Sequence, residues 1–290
     1  MRILFTFAHY YNAQGGGAYG SLKSDPRPRI GALASAIVAL HSTFGRRQGL
    51  LLKPVSPANT THCADIDVVV CTTGTNHLLD QLRLPPRLFH HHATQASPMF
   101  LGFECHALLR DRLGKYDYYC FLEDDILVSD PLFFDKLQWF NTLFGDEAVL
   151  QPNRFEVAVG QPLHKLYVDG DLRDRSISER LQDVNDRPEL EAEAFGKQLV
   201  FRRVNNPHSG CFFLNARQMQ HWVEQPDFLN RDPSFAGPLE SAATLGIMRF
   251  FRAYKPAREN AGFLEVRHLD NRYLGARAKP TGPATAQAQK

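Results

Sequence analysis

The stretch Tyr116-Asp117-Tyr118-Tyr119-Cys120-Phe121-Leu122-Glu123-Asp124-Asp125 is an apolar and aromatic run that ends in three consecutive carboxylates. Such a run reads as a buried strand that delivers acids to its carboxyl end, where open α/β sheets bind ligands. Three like charges side by side repel, and the repulsion grows as the dielectric falls, so a cation belongs among them. A divalent metal with a phosphate ligand is the natural candidate. Mg²⁺ and Mn²⁺ take oxygen donors and are commonly held by one or two carboxylates plus substrate phosphates. On a strand Glu123 and Asp125 share one face and Asp124 points to the other. The bland alternative is a set of solvated acids beside a turn. The following Ile126-Leu127-Val128 argues against it, because the acids interrupt an apolar segment.

Outward from this stretch, strand-like and helix-like segments alternate, which favours an α/β architecture with a central sheet. Arg2 to Ala8 reads as a first strand and Asp67 to Thr72 as a second, its β-branched run fitting a strand covered on both faces. Ile30, Leu33, Ile37, Leu40 and Phe44 recur at helical spacing ahead of Gly45, which predicts a helix over 30–44. A second helix is expected within 98–114, leading into the acidic strand. Ser129-Asp130-Pro131 is a helix start ahead of Leu132 to Phe144, so Asp130 has a structural task. Leu199 to Val204 and Cys211 to Leu214 read as strands and Ala216 to Val223 as a helix. Between about 165 and 197 the chain is heavily charged, from Asp169 and Asp171 to Asp183 and Asp186, and is expected to be a solvated helical excursion or flap. The tail 276–290 has no apolar periodicity and is expected to be disordered.

Composition narrows the function classes. The chain of 290 residues is 43% hydrophobic, enough for a sizeable core. Its 33 basic and 31 acidic residues leave a net charge of +2, which argues against a dedicated nucleic-acid binder. The five cysteines are scattered without a Cys-x-x-Cys pair, as expected in a reducing compartment. The apolar start is too short for a secretory leader. The apolar segment 30–40 falls short of the roughly 20 residues that cross a bilayer.

Two motifs fail on context. Gly15-Gly16-Gly17-Ala18-Tyr19-Gly20 fits Gly-x-Gly-x-x-Gly formally, but it lies well after the first strand, and Leu40-His41-Ser42 stands where a ribose-binding acid would be needed. As a phosphate loop it lacks Lys-Ser/Thr, having Ser21-Leu22 instead. It reads either as a flexible loop over the nucleotide or acceptor side, with Lys23, Arg27 and Arg29 available to phosphates, or as a mobile surface loop without a ligand. His90-His91-His92 cannot converge on one ion, because adjacent strand residues face opposite ways.

The order of these features resembles the GT-A fold glycosyltransferases, which use nucleotide sugars. The apolar strand, the Asp-x-Asp-like triplet Glu123-Asp124-Asp125 and the following Ile126-Leu127-Val128-Ser129-Asp130-Pro131 carry the resemblance. A Ser-Gly segment entering a strand at 209–214, a Glu before a helix at 240 and a late His at 268 extend it, in order, over most of 1–275. It implies a three-layer α/β/α, Rossmann-like domain with a mostly parallel central mixed sheet. Residues 1–125 would form its nucleotide-binding part and 126–275 its acceptor-binding part.

The resemblance also implies site residues. Mn²⁺ or Mg²⁺ would be held by Asp125 with Glu123 and His268. Asp124, Ala8, His9 and Arg29 would contact the nucleotide or donor, and His208, Ser209 and Gly210 the sugar or acceptor. Glu240 would be the catalytic base of an inverting enzyme, a role that suits a carboxylate within reach of the acceptor hydroxyl; an acid in the first turn of a helix also serves the dipole alone. The implied donor is a UDP- or GDP-linked sugar and the acceptor a glycan or lipid-linked saccharide, as in bacterial surface polysaccharide synthesis. The implied setting is cytoplasmic, with peripheral contact at the inner face of the membrane. A sugar-phosphate nucleotidyltransferase and a non-enzymatic, divalent-cation-dependent carbohydrate-binding protein are the rival readings.

Overall fold

A computed structural model describes residues 1–16, 20–158, 163–172, 174–270 and 272–277. The chain begins with β1 (Arg2–Ala8), α1 (Arg27–Phe44) and a short hairpin of β2 (Gly49–Leu50) and β3 (Ser56–Pro57). β4 (Asp65–Thr73), β5 (His90–Thr94), α2 (Leu101–Arg110) and β6 (Tyr118–Glu123) follow. After the acidic turn come β7 (Ile126–Leu127), α3 (Phe133–Phe144), β8 (Ala148–Leu150), β9 (Asn153–Val157), β10 (Lys165–Tyr167) and α4 (Ser176–Leu181). The remainder is β11 (Glu189–Ala194), β12 (Lys197–Arg203), β13 (Cys211–Asn215), α5 (Ala216–Val223), α6 (Pro238–Phe250), β14 (Arg252–Pro256), β15 (Glu265–His268) and α7 (Arg272–Arg277).

The central sheet has the order β13-β6-β1-β4-β5. β6, β1, β4 and β5 run parallel, and β13 lies antiparallel beside β6. The strand alternation sends side chains into two cores. Ile3, Phe5 and Phe7 of β1, with Cys120 and Leu122 of β6, pack on the side that holds Leu33, Ile37 and Leu40 of α1 and Phe133 and Phe134 of α3. Leu4 and Ala8, with Tyr119 and Phe121, pack on the side of α2, α5 and α6. Parallel strands covered on both faces need apolar side chains at every position. That need accounts for the fully buried Tyr-Tyr-Cys-Phe-Leu-Glu run of β6. Gly102 of α2 meets α6 closely: a Cβ there would lie 2.5 Å from Ala242 Cβ.

Two smaller sheets extend the fold. One has the order β10-β9-β15-β7, the other β11-β12-β14-β8. In the first, β15 pairs antiparallel with β7, setting His268 opposite Ile126.

Several boundaries differ from expectation. α1 begins at Arg27, because Pro26 and Pro28 suit a helix start and Asp25 accepts the Arg27 N–H. Asp130 does cap locally, accepting from Leu132 N–H at 2.9 Å and from Lys136 at 2.5 Å, but α3 itself starts at Phe133. The charged segment 165–197 is not a helical excursion. Among its described residues only α4 is helical, and β11 reads Glu-Leu-Glu-Ala-Glu-Ala, a period of two that turns Leu190 inward and the acids out. Ala276 and Arg277, placed in the expected disordered tail, belong to α7; the rest of that tail, 278–290, lies outside the described residues, as do Gly17, Ala18 and Tyr19 of the glycine-rich loop.

Candidate functional site

At the carboxyl end of β6 the chain turns at Asp124-Asp125 and re-enters a strand at Ile126. The turn is held from outside by the Leu269 N–H, which donates to the Asp125 carbonyl at 2.9 Å. This end of the sheet opens into a cleft of about 910 Å³. Ala8, Arg29, Glu123, Asp125, Arg154, His208, Glu240 and His268 all line it, so residues spread along the chain meet at one place.

The cation expected among the acids is supplied by the chain itself. Arg29, in the first turn of α1, reaches Asp124 with Nη2 at 2.5 Å and Asp125 with Nη1 at 2.6 Å. Asp124 is fully buried and faces away from the cleft. Its other oxygen accepts from His9 Nδ1 at 2.5 Å, and His9 Nε2 accepts from the Leu78 N–H at 3.0 Å. That second bond fixes the tautomer: Nδ1 carries the proton. Asp124 and His9, expected to contact a nucleotide, are placed by the structure as a buried brace beneath the turn, outside the cleft lining. Arg29 lines the cleft but spends its guanidinium on carboxylates.

Glu123 and Asp125 do share the cleft face. Burial would raise the Asp125 carboxyl, but Arg29 and His268 outweigh it and hold it well below the usual range. Glu123 goes the other way. Burial raises it, Arg154 opposes, and the charges of Asp125 and Glu240 add to the rise, leaving it at about 8. Its Oε1 and Asp125 Oδ1 are both buried acceptors without a hydrogen-bond partner among the described residues.

His268 sits between two acids. Nδ1 lies 2.9 Å from Glu156 Oε1, and Nε2 lies 3.5 Å from Asp125 Oδ2. Burial would lower it, but hydrogen bonding to Asp125 and Glu156 raises it to about 9. Glu156 is itself fixed by the backbone N–H groups of Tyr273 and Leu274. A carboxylate on Nδ1 presents Nε2 outward, the arrangement in which a histidine ligates a metal.

Along the wall of the cleft, through Arg154 and Asp169, runs an ionic chain that the residue types alone did not reveal. Arg154 approaches Glu123 at 3.7 Å and pairs with Asp169 at 2.8 Å. Lys255 reaches Asp169 at 3.3 Å and the His208 carbonyl at 2.5 Å. All are almost wholly buried, so Asp169 corrects the reading of its segment as solvated. A signal existed for Arg154 and Glu156: they occupy alternate positions of the strand Asn-Arg-Phe-Glu-Val and so share a face. Lys255 shares β14, Arg-Ala-Tyr-Lys-Pro, with the half-exposed Arg252 at its start, which makes it a weaker hint.

His208 faces the cleft, held by its Nδ1 against Thr244 Oγ1 at 3.0 Å, and burial with the nearby Arg154 charge lowers it to about 3. Its Nε2 is buried, unpartnered and 3.9 Å from Glu123 Oε1. Ser209 and Gly210 do not line the cleft. Ser209 donates to the Pro152 carbonyl at 2.8 Å. Gly210, at φ 69°, accepts from the Glu123 N–H at 2.8 Å, and a Cβ there would lie 3.0 Å from Glu123 Oε2. Both shape the floor that carries Glu123.

Glu240 stands in the first turn of α6 and lines the cleft. Its carboxylate folds back over Gly237, whose missing Cβ makes the room, and among the described residues no hydrogen bond ties it to the helix start. It makes no hydrogen-bonded cap, although its place in the first turn still complements the helix dipole.

Among the described residues no three His, Cys, Asp or Glu side chains are gathered closely enough to enclose a metal ion by themselves. The donor set fits a less enclosed site, of the kind that substrate oxygens complete: two orphaned carboxylate oxygens and an imidazole oriented by Glu156.

No family model and no curated protein matches this chain. Among solved structures, the crystal structure of S. aureus TarS 1-349 overlaps it at a TM-score of 0.46 and 8% identity, covering 92% of this chain and 60% of that one. A likeness at this level carries no argument, and this chain spans less than two thirds of that structure. Among the described residues no helix is long and apolar enough to cross a membrane.

Proposed function

We propose that the chain is a metal-dependent glycosyltransferase of GT-A type, moving a sugar from a nucleotide-sugar donor to a glycan or lipid-linked acceptor. The observation that carries this reading is the pair of buried, unpartnered oxygens, Glu123 Oε1 and Asp125 Oδ1, at the carboxyl end of a central strand beside His268. Asp125, His268 and Glu123 would hold Mn²⁺ or Mg²⁺. When bound, the ion would stabilise negative charge on the departing nucleoside diphosphate. The cleft volume suits a nucleotide sugar, within the range of small-molecule sites.

The chain's own groups then have separate tasks. Arg29, already at the rim beside Asp125, is placed to meet phosphate oxygens once its carboxylates have another cation. His208, neutral and with Nε2 free, offers a hydrogen bond to a sugar hydroxyl. Glu240, a carboxylate untied from its helix, takes the proton of the acceptor hydroxyl as the new C–O bond forms, in an inverting reaction.

Incubation with a panel of UDP- and GDP-sugars, Mn²⁺ and candidate glycan acceptors tests the proposal by release of free nucleoside diphosphate. Pyrophosphate chemistry instead would support the nucleotidyltransferase, and sugar binding without turnover the binding protein. Failure of Asp125→Asn to reduce release would overturn the metal assignment.

A further inference from the structure

The segment between α1 and β4 carries the most exposed apolar cluster of the described residues. Leu50, Leu51, Leu52 and Val55 are 58%, 89%, 51% and 64% exposed. They form the tip of the β2–β3 hairpin, whose stem is firmly tied. Leu50 pairs with Ser56, and Ala58 N–H donates to the Gln48 carbonyl at 3.0 Å. Gln48 Nε2 donates in turn to the Thr43 and Gly45 carbonyls at the end of α1. A tethered stem holding leucines into water is a standing cost of exposed apolar surface unless something covers it.

The charge around the tip indicates what covers it. From Gly45 to Ala64 the sequence has no Asp or Glu, but it has Arg46, Arg47 and Lys53. Arg46 is engaged by Asp65, whereas Arg47 and Lys53 are exposed and have no acidic partner among the described residues. In a chain of 31 acids, an acid-free stretch with an apolar point and two free cations matches a surface that is anionic outside and apolar beneath.

We infer that the tip Leu50–Val55 inserts into the interface of an anionic lipid bilayer, with Arg47 and Lys53 against the headgroups. The inference does not rest on the glycosyltransferase reading. The tip lies beyond the far end of α1 from Arg29, and the stretch of α1 from Arg29 to Phe44 spans about 23 Å.

Flotation of the full chain with vesicles of phosphatidylcholine, alone or mixed with phosphatidylglycerol, tests this. Binding is expected to the mixed vesicles and to weaken as salt rises. Leu51→Glu is expected to reduce the partition coefficient by about tenfold or more, with an unchanged thermal midpoint, because the side chain is exposed. Arg47→Glu with Lys53→Glu is expected to abolish the preference for anionic over neutral vesicles. Absence of binding to the mixed vesicles, or binding indifferent to both variants, overturns the inference. So does light scattering that shows a dimer dissolved by Leu51→Glu without vesicle binding, since the tip would then be covered by a second copy.

Discussion

Replacing Arg29 with alanine is expected to destabilise the fold by about 3 kcal/mol, the low end of the range for breaking a buried ion pair by removing one partner. The structure sets that choice. Arg29 is the cation shared by Asp124 and Asp125, its side chain is only 13% exposed, and Asp124 is wholly buried. Each acid retains a second partner, His9 for Asp124 and His268 for Asp125, which keeps the loss from the upper end. For a chain of 290 residues that loss corresponds to a fall of about 5 °C in Tm. The pH dependence has a definite sign. Asp125 is held below its unfolded value, so its contribution is complete above the ordinary aspartate range and is lost as pH falls through the folded value. Calorimetric scans at pH 7 and at progressively lower pH should show the gap between wild type and variant closing below about pH 4. Arg29→Lys should recover only part of the gap, because one ammonium cannot span two carboxylates as the guanidinium fork does. A loss below about 1 kcal/mol, or a gap that persists unchanged in acid, would refute the reasoning.

Glu240→Gln is expected to lower turnover by about 10²- to 10⁴-fold with donor affinity little changed, and retention of anomeric configuration in the product, read by NMR, would remove the need for this base. Without added metal, stability is expected to fall as pH rises from about 7 to 9, measured by urea unfolding. Glu123, raised from 4.5 to about 8, opposes folding increasingly up to that pH, and His268, raised from 6.5 to about 9, loses its stabilising charge as pH passes 9; Glu123→Gln should flatten the curve. Gly246→Ala should destabilise by about 1–3 kcal/mol despite alanine's better helix propensity, since the new Cβ collides with the Trp222 indole; an unchanged Tm would mean that the indole moves freely.

The sheet was legible because its strands are continuous apolar runs and its helices carry clear punctuation: Ala216 to Val223 was read to the residue, and the alternation of Glu123 and Asp125 against Asp124 followed from the pleat alone. What neutralises the acids was less legible. Sequence offered a charge deficit at the triplet but not the register of α1, and a helix starting three residues earlier is what brings Arg29 over the turn. The buried chain of Arg154, Asp169 and Lys255 was hidden for a different reason. Each charge is compensated only by partners far along the sequence, and a lone charge in a short strand or loop looks solvated until those partners are placed. Ser209 and Gly210 lie beneath the cleft and not along its wall, a distinction that sequence does not carry, because a turn that supports a site has the same small, polar composition as one that touches a ligand.

The antiparallel setting of β13 beside β6 has a bearing on how the molecule folds. Because β13 runs opposite to its neighbour, its entry turn at His208–Gly210 closes over the place where β6 ends, and the floor of the cleft is joined by residues nearly ninety positions apart, Glu123 and Gly210. Arg29 meets Asp125 from a similar separation, and Arg154, Glu156 and His268 arrive later still in the chain. Closure of such long loops comes before the contacts that reward it, which slows folding. A nascent chain that has formed only β1, β4 and β6 can already recruit Arg29 to its acids, while Glu123 waits for partners not yet made. The acidic turn is thus tempered early from one side and sealed late from the other, so hydrogen-exchange protection should reach Leu122 well before it reaches Glu123, whose N–H waits for the Gly210 carbonyl.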